Sequence, residues 1–442
     1  MSKVTDGIAQ YFGFQKQNTN FKTEFLAGMT TFFTMAYILL VAPSILGKTG
    51  MDMGAVFVAT ALAAAIGTFL MGVIANYPIA LAPGMGLIAY FAFSVVLGMG
   101  ISWEKALGAV FISGVLFFVL TVTKVRELII NSIPPGMKYA VSAGIGLFIA
   151  FIGLKNAQII VASEATFVTL NAGLTSSPDI MLTLIGLIVT AILMVRKIKG
   201  AIFIGMLFTA LAGIFTGIIP IPTSFVAMPP SITPTFMQLD IIGALELGFI
   251  TIIFAFLFVD LFDNAGTLVG VTSQAGLLKD NKLERGGRAL LTDSFATIGG
   301  SILGTSTVTS YIESSAGVAS GGKTGMTSVT TALFFMAALF FYPLVEVFAG
   351  IAAITSPALI VVGVLMASNL PKIEWNALSE AIPAFLTIIM MPLTFSIANG
   401  IAIGFVFYPL CKVFAGEGKN VHPIVYVLGV IFVLRFIFLG SI

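Results

Sequence analysis

Apolar runs of membrane-crossing length follow one another along almost the whole chain, separated by short polar, Gly- or Pro-containing stretches. A hydrocarbon layer about 30 Å thick takes about 20 helical residues to cross, so a chain built this way has few folds open to it. Of 442 residues, 58% are apolar and 9% charged, against roughly 25% charged in a soluble domain. The expectation is an all-α polytopic membrane protein.

The crossings are expected at 24–43, 53–74, 78–97, 105–123, 138–155, 179–197, 199–218, 243–265, 288–304, 306–321, 324–345, 351–369, 379–398 and 400–416, fourteen in all. Basic residues accumulate on the cytoplasmic side of a membrane protein. With Lys3, Lys16 and Lys22 inside, the even-numbered crossings return beside Lys124 and Arg126, Arg196 to Lys199, Lys279 to Arg288, Lys323, Lys372 and Lys412. The loop 219–239 on the other side has no Lys or Arg. Both termini are therefore expected inside a cell membrane, and the last apolar run, 424–439 with Arg435 as a snorkelling anchor, is read as peripheral. Residues 1–21 lack the basic-then-apolar pattern of a cleaved signal.

Composition also excludes several function classes. A net charge of +2 argues against a nucleic-acid partner, and one cysteine (Cys411) and one histidine (His422) leave no thiolate cluster or His-based metal site. No hydrolase, metalloprotease or P-loop motif is present, so no enzyme activity, cofactor or metal is expected. Neither charge rings nor a filter-like repeat suggests a channel.

Two features point to transport. First, 64–72 (AAIGTFLMG) echoes 296–304 (ATIGGSILG), and 200–205 echoes 400–404, each pair seven segments apart. An odd number of crossings per half inverts the second half, the plan of many transporters. Segments three (Pro78, Ala82-Pro83-Gly84-Met85-Gly86) and ten (309–317, rich in Ser, Thr and Gly) are then expected to be broken into extended stretches leading into half-helices. Such backbone survives at membrane depth only where it lines a site. Second, Asp260, Asp263 and Glu313 lie inside apolar segments, where a carboxylate is expensive and marks function by default. Thr292 and Asp293 could join a polar network or cap segment nine, and Gly299-Gly300 and Gly321-Gly322 would let helices pack closely.

The pieces Glu24 to Phe32, Ala82 to Leu87, Phe258 to Asp263, Gly266 to Leu268, Tyr311 to Gly317 and Gly321 to Gly325 resemble the AzgA-like purine permeases, of the superfamily that also contains uracil and xanthine permeases. That resemblance implies a seven-plus-seven inverted repeat. Its core would comprise 23–123 and 241–347 and its gate 124–240 and 348–416, with tails 1–22 and 417–442. It further implies import of adenine, guanine or hypoxanthine with protons through a protein embedded in lipid, and a homodimer. Asp263 resembles the segment-eight acid that contacts substrate and Glu313 the segment-ten acid that holds the base. Gly84, Met85, Gly86, Ile88, Phe262 and Ser314 complete the implied site. Asp263, Glu313 and Asp260 are the candidates for proton coupling. Ile88 departs from the pattern, because many members carry Asn there and an aliphatic side chain makes no hydrogen bond. The alternatives are a carrier of another nucleobase or of a small anion on the same fold, or a channel.

Overall fold

Helix boundaries follow local signals. In the computed structural model, which describes residues 3–126, 132–246, 250–279, 282–283 and 285–438, segment one opens at Asn20, whose side chain accepts the Thr23 N–H at 3.0 Å, and segment two at Asp52, which accepts from Ala55 at 2.7 Å. Both are N-caps that satisfy an otherwise orphaned donor. Segment one runs as Phe21–Met35 and Ile38–Leu46, segment two as Met53–Leu70, and segment four as Trp103–Val122. Of the expected segment eight, 247–249 lie outside the described residues, and its helix runs Ile250–Gln274.

Segments three and ten are broken as expected. Leu81–Pro83 and Val308–Ser310 form short strands that pair antiparallel, Leu81 with Ser310, Ala82 with Thr309 and Pro83 with Val308. Antiparallel pairing is what an inverted second half produces when corresponding pieces meet. The pairing also resolves the cost of extended backbone in an apolar layer, since each strand supplies the other's hydrogen bonds. Helix resumes at Met85–Ala89, continuing to Gly98 with wider turns, and at Ser314–Ala319.

Two groups of helices surround this crossing. Segment five (Pro135–Asn156) packs on twelve (Ala352–Ala367) and thirteen (Leu378–Leu393), six (Pro178–Val195) and seven (Ala201–Phe215) pack on each other and on twelve, and fourteen (Ile397–Phe414) packs on thirteen. In the second group, nine (Gly286–Leu303) lies on two and four, eleven (Gly325–Ala338) on one and two, and ten on one. Small residues set the closest approaches: a Cβ added at Gly146 would lie 2.8 Å from the Gly363 carbonyl oxygen, and one at Gly300 would lie 2.7 Å from Val308 Cγ2. Gly299, by contrast, faces open space.

The C-terminal run is a helix, Pro423–Phe438, that runs antiparallel along segment fourteen. Phe432 packs among Phe254 and Phe258 of segment eight and Phe405 of segment fourteen. Arg435 donates to Asn399 at 3.0 Å. The isolated run reads as short and interrupted by a charge; in the fold a partner for that charge sits on the neighbouring helix.

Candidate functional site

The strand crossing brings five segments to one cavity. Its lining includes Tyr37 of segment one, Gly84, Met85 and Gly86 at the start of half-helix three, and Asp263 and Thr267 of segment eight. Ser310 to Glu313 of segment ten face it as well, and Val362, Leu365 and Met366 of segment twelve close the opposite wall. Asp263 and Thr267 are one helical turn apart and so present on one side. Gly84 is needed where it stands: a Cβ there would meet Thr309 Cγ2 at 2.7 Å.

Glu313 sits immediately before its half-helix and is held by the Tyr37 hydroxyl, which donates to Oε1 at 2.7 Å. Tyr311 turns its hydroxyl across the crossing and donates to the Pro83 carbonyl at 2.6 Å, so it clamps the two broken segments together. Half-helix three begins at the cavity, and the first N–H groups of a helix lack intrahelical acceptors and carry a partial positive charge. The arrangement therefore offers two carboxylates, a helix start and an apolar wall within one small space. That combination suits a flat, polar-edged ligand.

Five of the residues expected at the site, Asp263, Glu313, Gly84, Met85 and Gly86, come together here. Asp263 and Glu313 are half-buried, open to the cavity. Ile88 is fully buried in the apolar core and does not line the cavity. Phe262 packs instead on Phe258 and Phe405, and the Ser314 hydroxyl accepts the Ala80 N–H at 3.0 Å. Asp260, one turn before Asp263, is fully buried away from the cavity.

Two things escape sequence reasoning. Tyr37 is one: it lies 276 positions from Glu313, and nothing near it in sequence distinguishes it from other membrane tyrosines. The other is Arg126, counted among the cytoplasmic basic residues that follow segment four. It is wholly buried and pairs with the equally buried Asp293 of segment nine at 2.8 Å. It also donates to the Leu290 carbonyl at 3.2 Å, and its guanidinium lies 4.1 Å from the centre of the Phe117 ring. Of the two roles open to Asp293, the structure gives it the polar network. A usable signal existed: an acid inside segment nine calls for a partner, and a cation is one that can serve.

Comparison with known proteins agrees with this architecture. The sequence pattern described as the Permease family, the xanthine and uracil permeases, matches residues 22–403. A guanine/hypoxanthine permease from Bacillus subtilis (strain 168) is 53% identical over 97% of this chain and 99% of its own length. An adenine permease from Escherichia coli (strain K12) is 43% identical over 98% of this chain and 97% of its own. The solved transmembrane domain of a cyanobacterium bicarbonate transporter, BicA, is similar with a TM-score of 0.66 at 13% identity, covering 87% of this chain and 97% of that one. At that identity the likeness bears on the fold alone.

Proposed function

We propose, from the premise that the chain belongs to the Permease family of xanthine and uracil permeases, that it imports purine nucleobases together with protons, by an elevator-like movement of a core against a gate. The family membership and the multi-pass helical architecture make it a transporter rather than an enzyme. The substrate class follows the relatives named for guanine, hypoxanthine and adenine.

The observation that carries the reading is the cavity at the strand crossing, where Asp263 and Glu313 face an apolar wall of Val362, Leu365 and Met366. A purine presents ring N–H donors along its edge and two apolar faces. Glu313, with Oε1 fixed by Tyr37, keeps its other oxygen to accept from such an edge, and Asp263 accepts from a second position. The segment-twelve side chains then cover one face of the ring. A small anion fits this site poorly, because two carboxylates would repel it.

The two helix groups supply the moving parts. Segments one to four and eight to eleven form the core, bearing both acids, and segments five to seven and twelve to fourteen form the gate, bearing the apolar wall. Substrate bound between them would be exposed to one side and then the other as the core slides. The protein would lie in the cell membrane with its N-terminus inside, and Asp260, Asp263 and Glu313 are the acids available for coupling.

The test is uptake of radiolabelled adenine, guanine, hypoxanthine and uracil in cells without their own permeases, with and without a protonophore. Saturable purine uptake that collapses with the protonophore is expected. Uptake confined to uracil, or purine uptake indifferent to the proton gradient, would refute the substrate or the coupling respectively.

A further inference from the structure

Behind the strand of segment ten lies a sealed cluster of charge that the substrate site does not use. Arg126 pairs with Asp293, and Asp260 feels both of them, together with Asp263, with the Thr309 hydroxyl beside it. All of Arg126, Asp260 and Asp293 are 0% exposed. Among the described residues neither carboxylate oxygen of Asp260 has a hydrogen-bond partner, and Asp293 Oδ1, Arg126 Nε and Asn264 Nδ2 are likewise unpartnered. Asn264 is anchored at its other end, accepting from Ser310 of segment ten at 3.1 Å.

The charges do not balance. One guanidinium neutralises one carboxylate, and the geometry assigns it to Asp293. A second buried carboxylate with no cation of its own, only the Thr309 hydroxyl beside it, would cost several kcal/mol if ionised, and a proton on Asp260 removes that cost. Once that proton leaves, the nearest compensating charge is Arg126, whose Nε is unused while Asp293 keeps an idle oxygen.

We infer that Arg126 is the exchangeable counter-ion of proton coupling: it pairs with Asp293 while Asp260 is protonated and is shared with Asp260 when the proton has gone. This rests on the proton-coupled reading above and deepens it. The substrate acids face the cavity, whereas the guanidinium is bonded within segments four and nine, and Asn264, beside Asp293, accepts from Ser310 of segment ten. Movement of the guanidinium would thus be felt by the strand crossing that holds the base. Arg126 acts through Asp260 and is a positioning residue.

The experiment is a pH titration of purified protein in lipid, following the infrared carbonyl band of the protonated acid that disappears in Asp260→Asn. It is run on wild type, Arg126→Lys, Arg126→Gln and the neutral pair Arg126→Gln with Asp293→Asn, alongside purine binding by the same samples. Without a cation to receive it, the charge on Asp260 forms less readily. The titration midpoint is therefore expected to move up by about one pH unit or more, a tenfold change in proton affinity, in Arg126→Gln, whereas the neutral pair, which loses the like charge of Asp293 along with the cation, should lie below Arg126→Gln. Arg126→Lys, which keeps the cation, should move it less than Arg126→Gln. An Arg126→Gln protein that titrates as wild type would mean that Arg126 and Asp293 only hold segments four and nine together, and would overturn the inference. The expected shifts in a protein that binds no purine would leave the inference standing and refute the substrate reading.

Discussion

Segment three reaches the cavity with Gly84, Met85 and Gly86 and offers it backbone and a thioether, whereas segment ten reaches the same cavity with Ser310, Tyr311 and Glu313. Their backbones answer one another residue for residue, through the pairing of Leu81–Pro83 with Val308–Ser310. Their side chains do not. Inverted repeats constrain backbone geometry, because both halves have to satisfy the same hydrogen bonds in the same apolar layer, but they leave each half free to carry different chemistry. Here one arm brings the start of a helix to the cavity, and the other brings a carboxylate.

Removing the anion is the strongest way to break the contrast. Glu313→Ala is expected to lower kcat/KM for purine uptake at least about 100-fold, roughly 3 kcal/mol for a lost charge-assisted hydrogen bond, and Asp263→Ala by a similar factor. Uptake close to wild type in either, with normal membrane levels, would mean that the polar edge of the site lies elsewhere. On the other arm, Gly84→Ala forces a methyl to within 2.7 Å of Thr309 Cγ2. Pushing the strands apart in this way should cost about tenfold in uptake, on the scale of overpacking. A Gly84→Ala carrier with unchanged kinetics would show that segment three tolerates slack at the crossing.

Subtler changes sharpen the comparison. Tyr37→Phe deletes the donor to Glu313 Oε1 and should raise KM several-fold, about 1 kcal/mol, without changing protein levels. Ile88→Asn asks whether segment three can be given a polar contact. Because Ile88 is fully buried and off the cavity, the expected outcome is a destabilisation of about 1–3 kcal/mol for an unsatisfied amide, seen as a lower Tm, with KM unchanged. A lower KM instead would place that side chain at the substrate. Gly299→Ala, whose added methyl meets open space, is expected to leave uptake and Tm near wild type. It separates the close-packed Gly300 from its merely adjacent neighbour.

The crossings, the two broken segments and the intramembrane acids could all be read along the chain, because hydropathy, helix-breaking by Pro83 and Gly84, and the cost of a carboxylate in lipid are properties of a residue and its immediate neighbours. The partner of Arg435 was not legible for the complementary reason: Asn399, 3.0 Å from it, lies on segment fourteen. Only the tertiary structure decided that Asp263 opens on the cavity while Asp260, one turn earlier, is sealed behind it. It alone brought Tyr37 to Glu313 and Arg126 to Asp293 across 167 positions. A helix of either rotation satisfies the same local sequence equally well. Which face meets the cavity is settled by the packing of helices from both halves, and no stretch of sequence contains that information by itself.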